Sequence, residues 1–131
     1  MIEKILVPTD GSDLSKKAAK KAIEIAKGLN AEIIVTNIMD QKATIPYEEQ
    51  EKRAHVYVQE IIDMALAEDV KTSSMIIFGS PNYDIMKVTL KSEADMIVIG
   101  THGNTGLKSS ILGSFAQATL KNVDLPILFV K

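Results

Sequence analysis

Glycine and hydroxyl side chains are concentrated in the segment from Gly100 to Ser114. This segment holds four of the seven glycines of the 131-residue chain. A glycine has no Cβ, so the backbone N–H groups around it can converge on an anion. Gly113 and Ser114 open a helical pattern, and the unpaired N–H groups at a helix N-terminus favour a phosphate. The residue types and their spacing therefore predict a phosphate-binding segment.

A carboxylate follows the first apolar run of the chain, in the sequence Pro8-Thr9-Asp10-Gly11-Ser12. Asp10 stands where a strand is expected to end, just before a helix begins. Its side chain can accept a backbone N–H in an Asx-turn or a helix cap, or it can serve a ligand. The residues by themselves leave both roles open.

The composition excludes several chemistries. The chain has no cysteine, so disulfides, thiolate zinc sites and thiol nucleophiles are ruled out. With two histidines, His55 and His102, a transition-metal site made by the protein alone is not expected. Leu107 separates Gly106 from Lys108, which breaks the P-loop spacing, and no G-x-G-x-x-G follows the first apolar run.

The overall charge and hydropathy indicate which classes of partner and which cellular location to expect. The chain has 15 basic and 17 acidic residues and a net charge of −2, which argues against binding to nucleic acid. The N-terminus lacks the features of a signal peptide, and no apolar run approaches the roughly 18 residues that cross a bilayer. We therefore expect a cytoplasmic protein with no membrane partner.

Five apolar runs alternate with four helical patterns. The runs are continuous and rich in β-branched residues, which is typical of parallel strands covered on both faces. They lie at residues 5–7, 33–38, 75–78, 96–99 and 127–130. The helical patterns lie at residues 14–29, 48–66, 83–90 and 114–121, with Leu66, Met86 and Leu90 among the side chains predicted to pack inward.

This alternation predicts one α/β domain over residues 1–131, built on a doubly wound parallel sheet. Such sheets bind ligands at the carboxyl ends of their strands, where the strand order reverses. The segments after strands one and four carry Asp10 and the clustered glycines. We expect these two segments to meet at one site.

Three stretches of the chain resemble the universal stress protein family. They are Lys4–Ser12, Ala94–Gly103 and Leu112–Ser114. The spacing G-x2-G-x9-G-[ST], met by Gly100, Gly103, Gly113 and Ser114, marks the ATP-binding branch of that family. The resemblance extends over the whole chain. It implies a Rossmann-like, adenine nucleotide alpha-hydrolase-like three-layer sandwich with five strands in the order 3-2-1-4-5.

The resemblance also implies which residues hold the nucleotide. Asp10 would lie near the phosphates, through Mg²⁺ or Mn²⁺ bound with ATP, and Ile38 would line the adenine pocket. Ile99 and Gly100 would sit beside the ribose, and the later glycines with Ser114 would hold the phosphates. His102 would order its loop rather than act as a base, and no catalytic residue is assigned. The cofactor-binding candidates are Pro8, Thr9, Asp10, Ile38, Ile99, Gly100, Gly103, Gly113, Ser114 and Phe115.

The sequence departs from the family pattern at two places. Asn104 stands where many ATP-binding relatives have a basic residue. Phe115 and Ala116 follow Ser114 where a small β-branched residue and often a hydroxyl are common. A hydroxyl lost at Ala116 would remove a phosphate hydrogen bond and lower the affinity roughly tenfold. Phe115 is expected to pack in the core rather than to cover the ligand.

Three functional hypotheses follow. The first is an ATP-binding regulatory or stress-response module that forms a homodimer through the apolar edge strand at residues 126–130, with room for an unidentified protein partner. The second is a slow ATP hydrolase or phosphotransferase, for which cations are scarce: Arg53 is the only arginine, and Lys108 is the only basic residue in the glycine-rich segment. The third is a nucleotide-free interaction module, which Asn104 and Ala116 keep open.

Overall fold

The structure is a computed structural model that describes residues 1–103 and 112–131. Its strands are β1 (Lys4–Pro8), β2 (Glu32–Asp40), β3 (Thr72–Gly79), β4 (Met96–Gly100) and β5 (Ile127–Val130). Its helices are α1 (Asp13–Leu29), α2 (Tyr47–Ala67), α3 (Pro81–Ser92) and α4 (Ser114–Asn122). None of the helices in these two ranges has the length and apolar character needed to cross a bilayer.

The strands form a parallel sheet in the order β3-β2-β1-β4-β5. β1 pairs with β2 on one side and with β4 on the other, so the direction of winding reverses there. The predicted doubly wound topology and the order 3-2-1-4-5 are confirmed. The loops after β1 and β4 lead to helices on opposite faces of the sheet, which leaves a cleft between them.

The helices cover both faces of the sheet. α1 and α2 pack on the face that carries Ile5 and Val7, and α3 and α4 pack on the face that carries Leu6. These three neighbours in β1 are fully buried although they point to opposite helical layers. Because both faces of the strand need apolar side chains, its sequence is a continuous apolar run without polar alternation.

Two elements begin more than one residue earlier than the sequence predicts. β3 begins at Thr72 rather than Met75, because Thr72, Ser73 and Ser74 pair with β2 through the backbone. β3 lies at an edge of the sheet, where a strand tolerates polar residues. α3 begins at Pro81 rather than Tyr83, since proline fits the first helical position, where an N–H has no partner within the helix.

Three side chains that were predicted to pack inward are exposed instead. Leu66 is 58% exposed, Met86 47% and Leu90 71%. In α3 the inward positions are taken by Ile85 and Val88, which are fully buried. A helical period indicates which residues share a face, but the width of the face that the sheet covers depends on how the helix is placed.

Candidate functional site

A cleft of about 800 Å³ opens where the parallel strands end. The ten cofactor-binding candidates from the sequence all line it: Pro8, Thr9, Asp10, Ile38, Ile99, Gly100, Gly103, Gly113, Ser114 and Phe115. They come together because parallel strands present their carboxyl ends at one edge of the sheet, so segments far apart in sequence become neighbours. Their roles in binding stay a prediction, whereas their shared location is a feature of the fold.

The loop after β1 is held by its own hydrogen bonds. The Thr9 N–H donates to the Thr36 carbonyl (2.9 Å), and Asn37 Nδ2 donates to the Thr9 carbonyl (2.7 Å), so the loop is anchored on β2. The Ser12 N–H donates to Asp10 Oδ1 (3.0 Å), which makes an Asx-turn. The first of the two roles left open for Asp10 is therefore present.

The other carboxylate oxygen of Asp10 lies where the two loops of the cleft meet. A Cβ placed on Gly103 would collide with Asp10 Oδ2, so this oxygen lies against the bare backbone of the loop after β4. The turn uses Oδ1, while Oδ2 is directed to the second loop. Asp10 can thus shape its own loop and still present charge at the place where the two loops meet.

Gly11 occupies a position that requires glycine. Its φ is +81°, in the left-handed region that side chains with a Cβ adopt only at a cost. A Cβ at Gly11 would also collide with the ring of Tyr57, which comes from α2. The helical period assigns Tyr57 to the apolar stripe of α2. Its contact with the cleft loop is a tertiary contact that no local pattern signals.

The glycines described at the end of β4 and after it differ in how much space the surrounding atoms leave for a Cβ. A Cβ on Gly100 would lie 2.9 Å from Leu14 Cγ, so α1 needs bare backbone there. At Gly103 an added Cβ would displace the Asp10 carboxylate, as above. At Gly113 the backbone is extended (φ −71°, ψ 172°) and an added Cβ would make ordinary contacts of 3.4 Å or more. The described surroundings of Gly113 do not require glycine, whereas an anion approaching its backbone would.

The two described ends of the glycine-rich segment are joined. The Gly113 N–H donates to the Thr101 carbonyl (2.6 Å). The Thr101 hydroxyl and His102 Nδ1 lie 3.1 Å apart, within hydrogen-bond distance. This contact agrees with the expected role of His102 in ordering the loop. The expectations for Asn104 and Lys108 fall on residues 104–111, outside the described part of the chain.

The N-terminus of α4 differs from those of the other helices. Its N-cap is Gly113, its first turn contains no acidic residue, and within the described residues no side chain caps it. The other first turns contain carboxylates: Asp13 in α1, Glu48 and Glu49 in α2, and Asp84 in α3. The first N–H groups of α4 and the positive end of its dipole therefore face the cleft without a compensating charge from the first turn.

Phe115 and Ala116, which depart from the family pattern, both lie between the core and the cleft. Phe115 packs against the core layer under α3 and α4 and also lines the cleft, so its predicted core role is confirmed. Ala116 is 2% exposed and lines the same cleft. Its small side chain leaves the helix backbone, rather than a hydroxyl, as the polar partner for a ligand at this position.

The cleft extends farther toward β3 than the sequence analysis predicts. Asp40 is the last residue of β2 and Lys42 follows that strand, while Asn82 and Tyr83 belong to the first turn of α3. All four line the cleft. Their position after the carboxyl ends of strands is the signal that could have identified them. In the two described ranges, no three His, Asp or Glu side chains are grouped so that they could hold a metal ion.

Comparison with known proteins places these features in a family context. A family model described as the universal stress protein family matches residues 1–131. Universal stress protein MJ0531 from Methanocaldococcus jannaschii is 36% identical over 141 residues, which span all of this chain and 83% of the relative.

Solved structures show the same fold. The structure of MJ0577, a universal stress protein of Methanocaldococcus jannaschii, has a TM-score of 0.87 and 28% identity, and the match covers 100% of this chain and 96% of that one. A crystal structure described as a universal stress protein in complex with cAMP has a TM-score of 0.80 and 24% identity over 99% of this chain and 97% of that one.

Proposed function

The chain belongs to the universal stress protein family, and from this premise we propose that it binds ATP in the cleft and acts as a nucleotide-dependent regulatory module. The observation that carries the proposal is the N-terminus of α4, whose first turn has no acidic residue and whose N-cap, Gly113, is extended. A phosphate is the natural partner of such a helix end. The cytoplasmic location expected from the sequence is part of this proposal.

The phosphates are assigned to the end of the cleft formed by Gly103, Gly113 and Ser114. The N–H groups at the start of α4 would donate to phosphate oxygens, and the Ser114 hydroxyl, which is exposed, would add a donor. Gly113 has no side chain that would stand between its backbone and the anion, and the proposal places the anion against that backbone. Several directed donors at a helix end suit a polyphosphate better than a neutral ligand.

The nucleoside is assigned to the middle of the cleft. Ile38 and Ile99 line it from β2 and β4, so the protein groups that border the base and the ribose there belong to apolar residues. A related structure with an adenine nucleotide, cAMP, supports the choice of adenine. Pro8, Thr9 and Gly100 border the same space.

We include Mg²⁺ or Mn²⁺ as a companion of the nucleotide. Such cations are commonly bound by one or two carboxylates together with phosphate oxygens, rather than by a full cage of protein ligands. Asp10, placed where the two loops meet, fits that need with a single carboxylate. The ion would neutralise phosphate charge, and Asp10 would hold it toward the Gly103 loop.

The proposal concerns binding rather than catalysis. Phosphoryl transfer needs a cation that stabilises the transferring group. Among the described residues, the cation that lines the cleft is Lys42, which follows β2 and is separated from β4 by β1. The described site therefore offers donors for holding phosphates, and the regulatory hypothesis is preferred to the hydrolase.

A homodimer through β5 completes the proposal. β5 pairs with β4 on one side. The carbonyl of Pro126, just before β5, accepts from the Ile97 N–H, and the carbonyl of Val130, within β5, accepts from the Thr101 N–H. Because backbone groups alternate along a strand, those of Ile127 and Phe129 point to the open edge. A second copy can pair there about a two-fold axis.

The dimer is tested by analytical ultracentrifugation of wild-type protein, Ile127→Pro and Ile127→Ala. We expect twice the chain mass for the wild type and for Ile127→Ala. Ile127→Pro should shift toward the monomer, because proline removes the outward N–H yet is tolerated at the first residue of an edge strand. A wild-type protein that stays monomeric at all concentrations would contradict the dimer.

ATP binding is tested by thermal unfolding with and without millimolar Mg-ATP. At a tenfold excess over Kd, a ligand stabilises the native state by about 1.4 kcal/mol, which should raise Tm by roughly 5 °C. Gly113→Val should lose this shift, because its side chain would block the phosphate.

The matched control is Gly28→Val, because Gly28 lies on α1 with nothing within 4 Å of an added Cβ. It should keep the full shift. No rise in Tm of the wild type at several millimolar Mg-ATP would refute the proposed function, and normal binding by folded Gly113→Val would refute the site.

A further inference from the structure

Tyr83 is an aromatic side chain at the rim of the cleft that the sequence analysis did not assign to the site. It lies in the first turn of α3, lines the cleft and is 78% exposed. A phenol ring left this open to water has apolar surface available for a ligand. Its position in the cleft indicates which part of a ligand it would meet.

The other five aromatic rings of the chain pack against other parts of the protein. The chain has three tyrosines, three phenylalanines and no tryptophan. Tyr47 and Phe78 pack edge to face with centroids 5.2 Å apart, and Tyr57 lies against Gly11. The remaining two rings, Phe115 and Phe129, pack against the core. Tyr83 is thus the ring at the cleft whose surface is mostly uncovered.

The two helices that begin at the cleft, α3 and α4, differ in the charge of their first turns. At the α4 end the helix N-terminus has no acidic residue in its first turn. At the α3 end Asp84 Oδ2 accepts from the Ser80 N–H (2.8 Å), so a carboxylate already occupies that helix start. The helix start of α4 therefore favours a phosphate more than the helix start of α3 does, because a carboxylate already offsets the dipole of α3. The bound nucleotide should therefore point its phosphates toward α4 and its base toward α3.

The distance between the ends suits a nucleotide. The sheet order places β1 and β2 between β4 and β3. With about 4.8 Å between neighbouring strands, the span from β4 to β3 is roughly 14 Å. A ligand with its phosphates at the end of β4 would extend past Ile38, at the end of β2, toward the first turn of α3.

We propose that Tyr83 is a base-stacking residue that covers the nucleobase at the α3 end of the cleft and so selects nucleotides over phosphates that lack a base. This inference rests on the proposed nucleotide site and adds to it the orientation of the ligand and a specificity residue. An aromatic ring stacks on the face of any base, and a purine offers the larger face. The ligand class is therefore purine nucleotides.

The test compares Mg-ATP with Mg-tripolyphosphate, which has the phosphates but no base. Tyr83→Ala should weaken ATP binding about fivefold or more and change tripolyphosphate binding less than twofold. Tyr83→Phe keeps the ring and should bind ATP as the wild type does. Leu90→Ala is the matched control, because Leu90 is 71% exposed on the same helix but does not line the cleft.

A second measurement uses Tyr83→Trp, which places a single tryptophan in a chain that has none. Its emission should change on saturation with Mg-ATP and stay constant with Mg-tripolyphosphate, because only a stacked base contacts the indole. An unchanged emission with bound ATP would overturn the inference.

The outcomes separate this inference from the proposed function. A wild-type protein that binds ATP, with Tyr83→Ala binding it equally well, overturns the role of Tyr83 alone. Equal losses for ATP and tripolyphosphate in Tyr83→Ala also overturn it, since they would indicate a purely structural effect. A wild-type protein that does not bind ATP refutes the proposed function, and the stacking role falls with it.

Discussion

α3 and α4 pack against each other on one face of the sheet, and both begin at the same cleft. Their first turns are nevertheless built in opposite ways. In α3, Pro81 is the first helical residue and Asp84 accepts the Ser80 N–H, so the chain supplies its own anion. In α4, the first turn is Ser114, Phe115 and Ala116, with no acidic residue among them.

The N-termini of two helices that begin at the same cleft therefore differ in local charge. A helix N-terminus carries about half a positive charge, which a carboxylate in the first turn offsets. α3 gains stability from that arrangement. α4 lacks that carboxylate. Under the proposed function its N–H groups are left for the phosphates, and stability is often given up in this way at a binding site.

The largest effect should come from giving α4 the charge that α3 has. Ser114→Asp would place a carboxylate at the start of α4, where it stabilises the ligand-free protein by about 0.5 kcal/mol through the helix dipole. The same charge should weaken ATP binding about 100-fold or more, because it repels phosphates a few ångströms away. Isothermal titration with Mg-ATP and thermal unfolding measure the two changes.

Ser114→Asn is the control for that substitution, because it has the same shape without the charge. It should lose far less affinity than Ser114→Asp. Equal affinities of the two variants would contradict the proposed role of the α4 N-terminus, since the charge there would not affect ATP binding.

A second prediction contrasts two glycines of the cleft. Gly11→Ala should lower the free energy of unfolding by about 1–3 kcal/mol, because Gly11 has a positive φ and a Cβ there would collide with Tyr57. Gly113→Ala should change stability by less than about 0.5 kcal/mol, since its backbone is extended and the added Cβ makes ordinary contacts.

Urea denaturation of the two variants measures this difference. Gly113→Ala should still bind ATP several-fold more weakly, because its methyl group faces the phosphate approach. If Gly113→Ala were as unstable as Gly11→Ala, the glycine at α4 would serve the fold rather than the ligand.

The smallest effect is expected at α3. Asp84→Ala removes the carboxylate that accepts the Ser80 N–H, and it should lower the free energy of unfolding by about 1 kcal/mol. ATP affinity should change less than twofold, because the phosphates are assigned to the other helix. A large loss of ATP affinity in Asp84→Ala would show that the orientation of the nucleotide is the reverse of the proposed one.

Much of the fold could be predicted from the sequence because its signals are local. The run Ile5-Leu6-Val7 is apolar without alternation, which indicates a strand between two helical layers, and such a strand is observed. β3 shows where this reasoning stops. Its first residues, Thr72-Ser73-Ser74, have no apolar signal, and only pairing with β2 makes them a strand.

The candidate site could be predicted in part for the same reason. Gly113 and Ser114 indicate the start of a helix, and Asp10 indicates a turn, because both features depend on neighbouring residues. Tyr57 and Tyr83 could not be assigned in this way. Their relation to the cleft depends on where α2 and α3 lie against the sheet, which no local spacing encodes.

Hydrophobic period, helix starts and glycine content act over a few neighbouring residues, so the order of the elements, the doubly wound class and the residue types of the proposed phosphate site can be derived from the sequence. Only the packed structure shows that Asp10 Oδ2 lies against Gly103, that the Tyr57 ring lies against Gly11, and that α3 and α4 begin at one cleft. These features arise from contacts between segments far apart in the chain, and the packing of the helices on the sheet is what brings those segments together.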